Sequence, residues 1–223
     1  MNIWIYKLGY NPEHKQDKKP SGFTIVELLI VIVVIGILAT LTFVVYRNIT
    51  GKAQAAVTSN IVQQYSKALA AYKLQNDSYP DIDSLADLQS SAGVCLGTGY
   101  ENKGCGSNFG EGQESEEFNQ LMKNYIGTAP DIRPHTTSYH FNEINITLNG
   151  IILQHLGEDN QTLNGQPVDA YAITYALDEP DAQCIGGEVL QVGSIPGTNY
   201  LTGNFKNTLT DGKNTGCFVK LPD

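Results

Sequence analysis

Three sets of residues in this sequence could do chemistry. The first is a single carboxylate, Glu27, the only charged side chain between Phe23 and Val45. A carboxylate at the centre of a bilayer costs roughly 2.5–3.5 kcal/mol on insertion scales, so Glu27 requires a partner or a shallow position. The second is four cysteines, Cys95, Cys105, Cys184 and Cys217, with no C-x-x-C pair and no histidine at metal-ligand spacing. Disulfides in an oxidising compartment are the natural outcome. Of three possible pairings we favour Cys95–Cys105, closing a short Gly-rich loop, and Cys184–Cys217, closing a long one. The third set is the carboxylates of two turns, "LDEPDAQ" and "TDGKNTG". Asp178, Glu179, Asp181, Asp211 and Asn214 are hard oxygen ligands of the kind calcium takes. Neither turn follows a defined calcium-loop pattern, so no cofactor is expected and calcium is the weaker alternative.

Other catalytic patterns are missing from the sequence. His135, His140 and His155 fall in strand-like or loop contexts without H-E-x-x-H spacing, and are read as ordinary sheet-surface histidines. There is no G-x-S-x-G, P-loop or dinucleotide fingerprint. The formal net charge is −9. Lys7, Lys15, Lys18 and Lys19 outnumber Glu13 and Asp17 before residue 23, so the remainder is more acidic still. That argues against nucleic acid as a partner, since phosphate binding needs clustered Lys and Arg. A structural rather than enzymatic role is expected.

These residues are positioned by an apolar run and by the amphipathic segment after it. Phe23 to Val45 is long enough to cross a hydrocarbon core of about 30 Å. It is too long for the h-region of a cleaved secretory signal. Lysines before the run favour a cytoplasmic N-terminus only narrowly, because Arg47 and Lys52 lie just beyond it. The cysteines argue more strongly for an exported C-terminal part. After Tyr46 the pattern becomes amphipathic: Val57, Ile61, Tyr65, Leu69 and Tyr72 recur at helical spacing, with Ala53, Ala56 and Ala68 between. Lys52, Asn60, Gln63, Lys67 and Lys73 fall opposite. One helix is predicted from roughly Thr24 to Leu74.

The stretch "GFTIVELLIVIVVIGILATL" resembles the N-terminal signature of the type IV pilin superfamily, which includes the pseudopilins of type II secretion and competence systems. The resemblance is strong over residues 21–50, looser to Asp83, and silent beyond. It implies cleavage by prepilin peptidase after Gly22, methylation of the new amine on Phe23, and an assembly salt bridge from Glu27. The physics agrees. Glu27 lies about 6 Å along a helix from that amine, near the interface, where the helix dipole favours an anion. In a bundle it would meet the amine of a neighbour; alone, it would snorkel to the headgroups. Gly36 and Thr40 form a small-x-x-x-small pair suited to close helix packing. Where the family commonly has proline, this sequence has Val44, which removes the usual cause of a kink and leaves local melting of the helix in a filament open.

The resemblance implies an α+β, pilin-like fold: a long N-terminal helix carrying a C-terminal antiparallel β-sheet head. The organisation expected is a leader over 1–22, a helix over 23–74 (membrane half 23–46, amphipathic half 47–74), an αβ-loop region over 75–133, and a sheet region over 134–223. Within it, Asp81 or Asp83 caps a short helix over Ser84–Gln89, and Phe118, Leu121, Met122 and Tyr125 mark a second helix. Strands are predicted at Ser138–Phe141, Ile144–Leu148, Ile151–His155, Ala170–Leu177, Glu188–Val192 and Cys217–Leu221. Asn149-Gly150 is the strongest hairpin signal.

The function implied is a pilin polymerising with itself or other pilins. Its implied partners are prepilin peptidase, an inner-membrane platform with its ATPase, and the lipid bilayer before assembly. Its location would be a single-pass cytoplasmic-membrane protein with an extracytoplasmic C-terminus, then an extracellular filament. The alternatives are a pseudopilin, a minor pilin at a filament tip, or a membrane-anchored extracytoplasmic binding domain.

Overall fold

The computed structural model describes residues 22–88, 93–107, 112–132, 137–141, 144–157, 162–195, 198–202, 209–210 and 212–223. Two compact units divide the chain between Val45 and Tyr46. Helix α1 runs Ile25–Asn76, Val44 included. In the first unit its apolar side chains from Ile25 to Leu41 are exposed. The segment Ile25–Thr42 has a mean hydropathy of 2.8 and is long and apolar enough to cross a membrane.

In the second unit α1 turns one face to a core. Ala55, Thr58, Ile61, Val62, Tyr65, Ala68 and Leu69 are buried, and Tyr72 packs at the edge. Val57, Ala53 and Ala56, placed on this face from the sequence, are exposed instead. The buried stripe passes through Ala55 and Thr58, one position round the helix. Helix α2, Glu116–Ile126, buries Phe118 and Met122 against the same core. Its chain leaves at Gly127, whose φ of 80° is easily reached only without a Cβ.

The first strands flank the short loops of the αβ region: β1 (Gly93–Cys95), β2 (Gly106–Ser107) and β3 (Gly112–Gln113). Next come β4 (Thr137–Phe141), β5 (Ile144–Leu148), β6 (Ile152–Leu156), β7 (Thr162–Leu163) and β8 (Gln166–Pro167). The longest is β9 (Ala170–Leu177); after it come β10 (Glu188–Val189), β11 (Gln191–Ile195), β12 (Thr198–Thr202), β13 (Leu209–Thr210) and β14 (Thr215–Lys220). The main sheet has the order β10-β14-β9-β6-β1-β3, with β13 also on β14. Two smaller sheets are β11-β12-β7-β8 and β2-β5-β4. Both faces of β9 are covered. Ile173, Tyr175 and Leu177 join the helices' core, while Ala170 and Ala172 join a second cluster with Leu156, Val168, Leu190 and Phe218.

The fold is α+β, as the sequence implied, but four details differ. Asn149-Gly150 does not close a hairpin: β5 pairs with β4 and β2, whereas β6 pairs with β1 and β9. The dipeptide is a passage between sheets. The Asn149 amide donates to the Cys105 carbonyl at 2.9 Å, and a Cβ on Gly150 would stand 2.1 Å from the Tyr100 ring. Glycine is there for a close approach, not for a turn. Residues 82–88 form successive turns rather than a helix; of the two expected caps, the Asp83 carboxylate bonds to His155 instead, and Asp81 offers Ser84 its backbone carbonyl. The predicted strand Glu188–Val192 splits at buried Leu190, whose amide bonds to Phe218, with β10 and β11 entering different sheets. The sheets are also not wholly antiparallel: β1–β3 and β7–β12 are parallel. The chain from β1 returns through the Cys95–Cys105 bridge, and the Cys105 amide bonds to the Gly112 carbonyl, which sets β3 alongside β1 in the same direction.

Candidate functional site

At the tip of α1, Gly22, Phe23 and Thr24 precede the helix, and Phe23 is 83% exposed. Thr24 is the N-cap and Glu27 the third helical residue. The Thr24 amide and hydroxyl donate to Glu27 Oε2 at 2.8 and 2.9 Å, and the Glu27 amide donates back to Thr24 Oγ1 at 3.2 Å. This is a capping box, in which two otherwise orphaned amides at a helix end are satisfied reciprocally. The pattern T-x-x-E announces it, a signal that is missed when Glu27 is picked out by its charge alone. The carboxylate is thereby fixed at the helix end, one turn from Phe23, with its other oxygen available to a cation.

Deeper in the span, the Thr40 hydroxyl donates to the Gly36 carbonyl at 2.8 Å, and Thr42 does the same to Leu38 at 2.7 Å. Both hydroxyls are satisfied within the helix, as an apolar surrounding requires. Gly36 has nothing within 4 Å of its absent Cβ, so a second backbone can approach there.

In the second unit, Cys95 is bonded to Cys105 and Cys184 to Cys217. Both bridges are buried in the core. The first ties β1 to the loop before β2. The second ties the segment after β9 to β14.

The turn after α1 is held to α2 by acids on both sides. Ser115 caps α2, accepting from the Phe118 amide at 2.9 Å and donating to Asp87 at 2.6 Å. Asp87 also accepts from the Glu117 amide, and Glu117 accepts from the Ala86 amide at 3.0 Å. Slight burial pushes the Asp87 carboxyl up, but the Ser115 hydroxyl and the α2 amides outweigh it and hold the group below its ordinary 3.8. Farther along, Tyr79 and Lys73 both reach the Pro222 carbonyl, at 2.6 and 3.3 Å, with the Lys73 ammonium over the Tyr79 ring.

Among the acidic-turn candidates, the Glu179 carbonyl accepts from the Thr215 hydroxyl at 2.7 Å, and Asp211 lies outside the described residues. Asp178, Glu179 and Asp181 belong to no group of three or more His, Cys, Asp or Glu able to hold a metal among the described residues. His135 also lies outside those residues, and His140 is placed only by its backbone in β4. His155 departs from its expected role as a surface residue. It is half-buried between Asp83 and Asp169, 72 and 14 residues away in sequence, and no local pattern signals that meeting.

Comparison with known proteins concerns the first site. A model described as the prokaryotic N-terminal methylation motif matches residues 17–43. The chain is 32% identical over 74 residues to a fimbrial protein of Neisseria meningitidis, a match covering 33% of this chain and 44% of that one. It is 35% identical over 65 residues to type II secretion system core protein G of Pseudomonas aeruginosa, covering 29% and 46%. With core protein G of Vibrio cholerae it is 40% identical over 73 residues, covering 31% and 47%. The chain spans about half the length of the curated relatives it matches. No solved structure matches it at significance. The segment that presents Glu27 is a prepilin-type N-terminal methylation motif, and the chain's likeness is to type IV pilins and to the pseudopilins of type II secretion.

Proposed function

We propose that the chain is a structural subunit of a type IV pilus. Prepilin peptidase would cut after Gly22 and methylate Phe23. The apolar part of α1 would hold the subunit in the cytoplasmic membrane, with the disulfide-bonded second unit on the extracytoplasmic side. The subunit would then leave the bilayer as its helix joins those of other subunits, driven by an assembly platform and its ATPase.

The observation that carries this reading is the capped Glu27 at the head of an uncovered apolar helix inside the methylation motif. Cleavage at Gly22 turns the residue before Thr24 into a cationic amine, and methylation leaves it cationic. A carboxylate already aligned at the helix end pairs with such an amine on an adjacent copy, which satisfies both charges as lipid is replaced by apolar side chains. Gly36 and Thr40 allow those helices to approach closely.

Mass spectrometry of the mature protein tests the processing. A chain beginning with N-methylated phenylalanine and lacking two hydrogens per disulfide supports it, and retention of Met1 overturns it. The likeness to core protein G favours a second reading, a pseudopilin in a short secretion pseudopilus. Deletion separates the two: loss of long surface filaments marks a pilin, and loss of protein export with filaments intact marks a pseudopilin. Immunogold labelling confined to filament tips would assign a minor pilin.

A further inference from the structure

We infer that His155, with Asp83 and Asp169, forms a proton-operated latch that fastens the turn after α1 to the main sheet. His155 sits on β6 opposite Tyr171 of β9, and the two rings stack with centroids 4.8 Å apart and planes 17° apart. Nδ1 lies 2.6 Å from Asp83 Oδ2, in the turn after α1, and Nε2 lies 2.8 Å from Asp169 Oδ1, just before β9. A carboxylate only accepts, and a neutral imidazole has one N–H and one lone pair. A neutral ring therefore bonds one of the two acids and sets its lone pair against the other. Both bonds at once need the imidazolium, which also gains from lying over the phenol face. The two nitrogens point to different carboxylates, so the cluster is a bridge and not a chelate for one ion.

The surroundings leave this ring to decide the cluster's charge. Asp83 faces it from the turn after α1, Asp169 from the β8–β9 connection, and Tyr171 from β9, with Asp81 acting on the Tyr171 phenol. Burial, then the charges of Asp83, Asp81 and Asp169, push the Tyr171 phenol up to about 12, so it stays neutral through the relevant range. Partial burial lowers the imidazole, but its hydrogen bonds and charge contacts with Asp169 and Asp83 prevail and hold it above its ordinary 6.5. A group raised in the folded state stabilises fully below its unfolded value and loses that contribution as pH rises through the folded one. On deprotonation the ring keeps one acid and faces the other unpaired. The turn is anchored at each end, by Tyr79 on Pro222 and by Asp87 on α2. Release is therefore confined to Pro80–Leu85, which keeps the burial of Pro80, Ile82 and Leu85 and the hydrogen bond between the Ile82 backbone and the Tyr171 phenol as its weaker holds.

The test uses the full chain in detergent micelles between about pH 5 and about pH 9. Imidazole NMR shifts give the His155 titration, and hydrogen exchange, corrected for intrinsic rates, gives protection of the Asp81–Leu85 amides. The ring should titrate above 6.5. Protection of those amides should fall across that titration by about tenfold per unit of elevation. His155→Gln should hold protection low and flat with pH. Asp169 is 91% exposed at its side chain, so Asp169→Asn leaves the packing intact and should lower the His155 titration point, which keeps the test decisive if the histidine variant fails to fold. A His155 that titrates at or below its ordinary value, or protection in Asp81–Leu85 unaltered through its titration, overturns the latch.

Discussion

Thr24 and Glu27 each satisfy the other's backbone at the tip of α1, with the Glu27 carboxylate accepting both Thr24 protons at 2.8 and 2.9 Å. Capping and charge are thus two separable duties of one side chain. Glutamine at this position still accepts from the Thr24 amide, as capping boxes allow, but pairs with no cation. Glu27→Gln should therefore insert into membranes normally and fail to enter filaments, as Glu27→Ala should. Electron microscopy of sheared filaments, with membrane fractions as control, reads the difference. Normal filaments from Glu27→Gln would reduce the residue to a cap.

The two disulfides should differ in what their loss costs. Cys184–Cys217 closes a separation of 33 residues and Cys95–Cys105 one of 10. Loop-closure entropy assigns them roughly 3.7 and 2.7 kcal/mol. Double serine variants compared by chemical denaturation should rank in that order.

Ser115 and Asp87 fasten α2 to the turn after α1. Ser115→Ala removes the cap and should cost about 1 kcal/mol. The Asp87 carboxyl is held below its ordinary 3.8, so its contribution is present above that value and lost as pH falls through the lower folded one. The stability gap between the parent and Asp87→Asn should therefore close in acid. A gap that widens there contradicts the arrangement.

Gly150 is pressed against the Tyr100 ring. Gly150→Ala should overpack that junction and cost about 1–3 kcal/mol, with part of the loss restored by Tyr100→Leu. Thermal denaturation of the single and double variants measures the coupling. A neutral Gly150→Ala would return the dipeptide to an ordinary turn.

The apolar run, the amphipathic half of α1, α2 and β9 are readable in the sequence because each carries its signal in one contiguous stretch, as unbroken apolarity or as a recurring spacing. Asn149-Gly150 misled because hairpin propensity is local, whereas β1 and the Cys95–Cys105 loop arrive from far away to occupy the place beside β6. The turn at 82–88 is similar: Asp81 and Asp83 look like helix caps, yet Asp83 is drawn to His155 and the Ser84 hydroxyl bonds to the Asp81 backbone carbonyl. At the tip, Glu27 was conspicuous by charge alone. Thr24 was not, since a threonine beside an apolar run looks unremarkable until its spacing to the acid is counted.

The strand that comes last in order, β14, sits inside the main sheet between β10 and β9, and it carries Cys217. The second unit therefore closes only once the chain as far as Lys220 is available, and until then β9 lacks its neighbour over residues 172–177. Such long-range closure is slow. A half-built sheet of this kind offers an open strand edge to any other chain, so the arrival of β14 is the step that ends its exposure to mispairing.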